Sequence, residues 1–92
     1  MTDILNRQFA PSPEIAESLV GDETVMLHLA NGTYYGLDAV GTRIWGLVKA
    51  GVAMPAICIQ LAEEYGIALP TIEEDARRFV ADLEAQGILI NG

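Results

Sequence analysis

Thr24-Val25-Met26-Leu27-His28-Leu29-Ala30-Asn31-Gly32-Thr33-Tyr34-Tyr35-Gly36-Leu37-Asp38 reads as two strands, the turn between them and the cap of a helix. Val25, Leu27 and Leu29 alternate with less apolar residues, which is the period of a strand with one buried face. Asn31-Gly32 is a strong hairpin signal, because both residues tolerate the left-handed backbone that tight hairpins need. A two-residue turn would pair Leu29 with Tyr34 and put Tyr35 and Leu37 opposite the aliphatic trio. A three-residue loop, Ala30-Asn31-Gly32 with Gly32 as a bulge, pairs Leu29 with Thr33, Leu27 with Tyr35 and Val25 with Leu37. A one-residue slip exchanges the faces, so the apolar pattern decides, and it favours the bulged loop. His28 and Tyr34 then face away from the core.

Upstream, Ile15-Ala16-Glu17-Ser18-Leu19-Val20 is a further strand, closed by a turn at Gly21-Asp22-Glu23. Residues 1–13 form an N-terminal arm, with a short extended piece at Gln8-Phe9, because Pro11 and Pro13 oppose regular structure. Residues 14–92 then make one domain, and the length suits no more than one. Downstream, Asp38 caps a helix to about Ala50, with Val40, Ile44, Leu47 and Val48 inward. Pro55 opens a second helix ending near Gly66, with the stripe Ile57, Cys58, Leu61, Ala62 and Tyr65. Pro70 bars continuation before Thr71, and Thr71-Ile72-Glu73-Glu74 forms a capping box for a third helix. Ile72, Ala76, Phe79, Val80 and Leu83 line its inner side, Glu73–Arg77 and Glu74–Arg78 are favourable pairs, and Gly87 ends it. Strands followed by helices give an α+β fold, a three-stranded antiparallel sheet and three helices in a winged helix-turn-helix outline.

Catalytic and metal chemistry is sparse. The chain has one histidine and one cysteine, on different elements, and Cys58 falls on an apolar stripe. Metal sites and activated nucleophiles need clusters of such groups, so no catalytic residue, metal or cofactor is expected. Gly32, Gly36 and Gly41 do not form a phosphate loop. Glu73, Glu74 and Asp75 lie where a helix dipole favours carboxylates, which needs no site to explain it. No apolar run reaches the ~18 residues of a membrane span. A single cysteine excludes an internal disulfide and no secretion signal opens the chain, which together suit the cytoplasm.

Thirteen acidic residues against five basic ones give a net charge of −8. Such a surface repels phosphate backbones, so nucleic acid is a poor partner, although winged helices often bind DNA. A basic peptide is a better one. The Thr33–Leu37 strand comes last in the hairpin and carries neither lysine nor proline, so it offers an open edge to which a peptide strand can add. The same edge could pair two copies of the chain.

Tyr35-Gly36-Leu37-Asp38 followed by Gly41, Ile44 and Trp45 resembles the Tyr-x-Leu-Asn/Asp, Gly, Ile-Trp pattern of PqqD-like proteins. Glu74-Asp75, Phe79, Leu83 and Gly87-Ile88-Leu89 are similar to that family's third helix and its exit, and the resemblance covers roughly Leu27 to Ile90. The tract Gly32–Gly41 is similar to the stand-alone elements of lasso-peptide clusters, and departs from the quinone-cofactor branch at its two tyrosines and Gly36. The resemblance implies a non-catalytic recognition element for ribosomally made, post-translationally modified peptides. It would hold a precursor's leader against the third strand and third helix and present it to a separate enzyme, in lasso clusters a cysteine protease that removes the leader. The expected peptide-binding residues are Thr33, Tyr34, Tyr35, Gly36, Leu37, Asp75, Phe79, Asp82 and Leu83. A winged-helix transcription regulator is the competing expectation.

Overall fold

The computed structural model describes residues 3–91. A 3-10 helix, Ile4–Asn6, leads into β1 (Phe9–Pro11), β2 (Ile15–Val20), β3 (Glu23–His28) and β4 (Tyr34–Leu37). Three helices follow, α1 (Ala39–Lys49), α2 (Met54–Tyr65) and α3 (Leu69–Ala85), and then β5 (Leu89–Asn91). The expected three-stranded antiparallel sheet is present, in the order β2-β3-β4, with α1 packed directly against β3 and β4 and α2 packed on α1 and α3. A second, two-stranded sheet joins β1 to β5 and was not foreseen. Pro11 does not prevent it, because proline at the end of an edge strand gives up no ladder hydrogen bond.

The hairpin differs from expectation in register. Met26 pairs with Tyr35, Leu27 with Tyr34 and Val25 with Gly36, one residue away from the bulged-loop pairing. The loop is longer, Leu29 to Gly32, closed by the Gly32 N–H donating to the His28 carbonyl at 2.8 Å. Asn31 lengthens it, its side chain accepting from the Thr33 N–H at 2.9 Å, as asparagine does in turns. The inward residues of β3 are therefore Thr24, Met26 and His28, and not Val25, Leu27 and Leu29. Val25 and Leu29 are exposed and Leu27 is half-buried. Both faces of β3 are apolar, so alternation alone could not choose between them. The Thr24 hydroxyl meets that of Thr42 at 2.9 Å, which lets a threonine sit inside. Met26, wholly buried, fills the space beside it with a flexible side chain. His28 is half-buried, and its ring lies where a Cβ on Gly87 would come within 3.2 Å. Gly87, at φ +73°, thus serves both the end of α3 and this close approach.

Asp38 caps α1 as expected, accepting from the Gly41 N–H at 2.8 Å. Ile44, Trp45 and Val48 turn inward, but Val40 is exposed at the first turn. Trp45 donates its indole N–H to Glu17, which Lys49 also reaches. Burial alone would raise the Glu17 carboxyl, but these two donors hold it below its ordinary value. Met54, Ile57, Cys58 and Leu61 form the buried stripe of α2, while Tyr65 lies at the exposed end before left-handed Gly66. Helix α3 starts earlier than its capping box, with Ala68 as N-cap and no side-chain cap. Pro70 falls in its first turn, where no N–H is needed, so the proline opens the helix rather than delaying it. Arg77 and Arg78 do not pair with Glu73 and Glu74. Arg77 grips Asp3 with two nitrogens, at 3.1 and 2.7 Å, and so fastens the 3-10 helix to α3, while Arg78 pairs with Asp75. The Arg77 guanidinium and then the Leu5 N–H hold the Asp3 carboxyl below its usual range. Leu5 beneath them is buried, and Ile72, Ala76, Val80 and Leu83 complete the core.

Candidate peptide-binding site

Among the described residues β4 has a single neighbour, β3, so its other edge is unpaired. The His28 N–H donates to the Thr33 carbonyl at 2.9 Å, which makes 28–33 a hydrogen-bonded pair. Antiparallel pairs alternate, so Tyr35 and Leu37 use their backbone groups on β3, while Tyr34 and Gly36 turn theirs outward. Two residues of the tract thus present an N–H and a carbonyl each to any strand that arrives.

The side chains of Tyr35 and Leu37 point the other way round the pleat, towards the helices. Beside them lies a groove of about 400 Å³, lined by Tyr35 to Asp38, Val40, Gly41 and Ile44, with Asp75 and Phe79 of α3 as its far wall. Gly41 forms the floor. A Cβ there would lie 3.2 Å from the Asp38 carboxylate and 3.3 Å from both the Leu37 Cβ and the Phe79 ring. A methyl group there would require these side chains to give by a few tenths of an ångström. A hollow of similar size, about 420 Å³, lies between Leu5–Phe9 and Val52–Pro55, away from β4 and α3.

The structure brings together Tyr35, Gly36, Leu37, Asp75 and Phe79. Thr33 lies at the loop, exposed and bonded to Asn31, and Tyr34 stands 70% exposed on the outer face of the sheet. Leu83 is wholly buried and supports the wall from behind. Asp82 is outside the groove lining and receives the Tyr35 hydroxyl, a bond that ties β4 to α3. Asp38, Val40, Gly41 and Ile44 were missed as groove residues. Sequence marked them as helix cap and helix interior, and nothing in the pattern shows that the first turn of α1 opens onto the sheet edge.

Burial, and then Asp82, push the Tyr35 phenol up to about 12. The folded state therefore favours the neutral phenol. That contribution is complete below pH 10 and is lost as pH rises through about 12. Denaturant melts should show wild type losing stability between pH 10 and 12, with a shallower loss in Tyr35→Phe. Parallel curves would break the tie between Tyr35 and Asp82.

The charge around the groove is acidic. Each of the five cationic side chains is in an ion pair, with Glu84, Glu64, Glu17, Asp3 or Asp75. Asp82, and Glu74 on the same helix, have no cationic partner among the described residues. Among those residues no group of three His, Cys, Asp or Glu could hold a metal ion, and no helix is long and apolar enough to cross a membrane. Cys58 is buried, and burial pushes its thiol up, away from the reactive thiolate.

No curated protein matches the chain. Two solved structures do. "TbiB1 in Complex with the TbiA(beta) Leader Peptide" is 40% identical, with a TM-score of 0.83, over 87% of this chain and 93% of that one. "Lasso peptide synthetase B1 complexed with the leader peptide" has a TM-score of 0.84 at 23% identity, over 90% and 98%, and shares the fold. The model of the family Coenzyme PQQ synthesis protein D matches residues 23–89, which run from β3 through the groove and all three helices to β5. The chain therefore belongs to the PqqD family.

Proposed function

We infer that this chain is a recognition element that captures the leader of a ribosomally made precursor peptide by strand addition to β4. The observation that carries this is the unpaired edge of Tyr34 and Gly36 set beside an apolar groove, in a chain 40% identical to a leader-bound protein. Backbone pairing is not enough alone. Ordering the peptide costs ~1–2 kcal/mol per residue, and a hydrogen bond returns ~0.5–1.5 kcal/mol. A micromolar complex needs about 8 kcal/mol. Two or three leader side chains must therefore bury themselves in the groove, each contributing ~1.5–3 kcal/mol. Leu37, Ile44 and Phe79 offer them apolar contact, and the acidic border attracts leader lysines.

The element itself is non-catalytic in this reading and works in the cytoplasm with a cysteine-protease-type leader peptidase, in lasso-peptide biosynthesis. Asp75 and Asp82 at or near the groove act on capture rather than on holding. The test is direct titration of synthetic leader and, in parallel, of random duplex DNA at near-physiological salt. Leader should bind at micromolar concentration or tighter, and DNA should not be retarded at micromolar protein. Salt-sensitive DNA binding without leader binding would return the chain to the transcription-regulator class.

A further inference from the structure

The outer face of the β2-β3-β4 sheet is as apolar as its inner face. The pairing places Ala16, Ser18 and Val20 of β2, Val25 and Leu27 of β3, and Tyr34 and Gly36 of β4 on it. Val20 is 61% exposed, Val25 41% and Tyr34 70%, and no described residue covers them. A shallow hollow of about 170 Å³ lies among Ala16, Glu17, Ser18, Val25, Leu27 and Tyr34, with the Glu17 carboxylate engaged by Trp45 and Lys49 on the inner face. A solvated sheet face ordinarily alternates to polar residues, and this one does not. Its charges are Glu23, opposite Val20, and Glu14, whose carbonyl accepts from the Leu29 N–H at 2.8 Å and continues the ladder at the other end. No cation lies on it, since Arg7, Arg43, Lys49, Arg77 and Arg78 all lie outside the three strands.

We propose that this outer face is the docking surface for the enzyme that processes the captured precursor, a protein presenting an apolar patch bordered by lysine or arginine. The proposal rests on the leader-binding reading above. Charge favours it over a second copy of this chain, whose net charge of −8 would set carboxylates against carboxylates. Continuity supplies the rest, because the face runs up to the open edge. A leader added beside β4 sends alternate side chains into the groove and the others outward, next to Tyr34 and across Gly36. The loaded element thus offers a wider surface than the free one.

The experiment uses the double variant Val20→Thr/Val25→Thr, which keeps branched side chains suited to strands while removing apolar surface. Synthetic leader and purified leader peptidase are the probes. The variant should bind leader within twofold of wild type, while its affinity for the peptidase and the rate of precursor cleavage it supports fall at least tenfold. Cleavage within twofold of wild type would overturn the proposal, as would a wild-type element that binds leader but never the peptidase. Dimerisation of wild type that the double substitution abolishes would assign the face to a second copy and overturn it equally. Failure of wild type to bind leader is a separate result, and it removes the leader-binding reading itself.

Discussion

Gly36→Pro is expected to weaken leader binding at least 100-fold while leaving the domain folded. The N–H at position 36 faces the open edge, not β3, so a proline there removes a donor that the hairpin does not use. An arriving leader carbonyl would lose its partner and meet the proline ring instead. A buried acceptor left unpaired costs about 1–3 kcal/mol, and the factor of 100 corresponds to about 2.8 kcal/mol. The fold should lose little, because proline is tolerated on edge strands where its missing donor points outward. Gly36→Ala is the control. A Cβ at Gly36 meets nothing within 4 Å, so leader affinity should stay near that of wild type. Calorimetric titration of both variants, with a thermal melt of each, decides the matter. A proline variant that binds as wild type does would remove β4 as the docking edge.

Leu83→Ala and Phe79→Ala should separate wall from support. Leu83 is fully buried, so its truncation is expected to cost about 2–5 kcal/mol of stability through a cavity. In a domain whose total stability is of order 5–15 kcal/mol, that is a large share. The fraction that remains folded should still bind leader with near wild-type affinity. Phe79 is half-buried on the groove side, so its loss should cost less stability and speed leader dissociation severalfold. Urea melts and dissociation rates together read both effects. A wild-type dissociation rate in Phe79→Ala would take that ring out of the groove.

Much of this was legible because single residues carried it. Asp38, Pro55, Gly66 and Gly87 punctuate the helices as their backbone chemistry requires, and the inner stripe of α3 falls at helical spacing. The hairpin register was not legible, for a physical reason that also bears on function. Thr24-Val25-Met26-Leu27 is apolar on both sides, and a pattern with two good faces cannot say which is buried. Only tertiary partners decide, namely Thr42 for Thr24 and the packed interior for Met26. The same ambiguity is what leaves Val25 and Tyr34 uncovered. That β4 ends the sheet was legible from hairpin order, whereas the groove lining by Val40, Gly41 and Ile44 was not. Their place in the groove depends on where α1 crosses the sheet, which no local signal encodes.

The pairing of β1 with β5 sets Phe9 opposite Asn91 and Pro11 opposite Leu89, about one strand spacing apart, ~5 Å. The residues before Phe9 turn back into the fold, where Arg77 holds Asp3 on α3 and Leu5 is buried in the core. The first strand thus clasps the last, and each is the other's sole neighbour among the described strands. Removing the residues through Pro11 would strip β5 of its partner, take Leu5 out of the core and leave Arg77 without its carboxylate, so the stretch that looks like a loose arm is a buckle that holds α3, the far wall of the groove, in place.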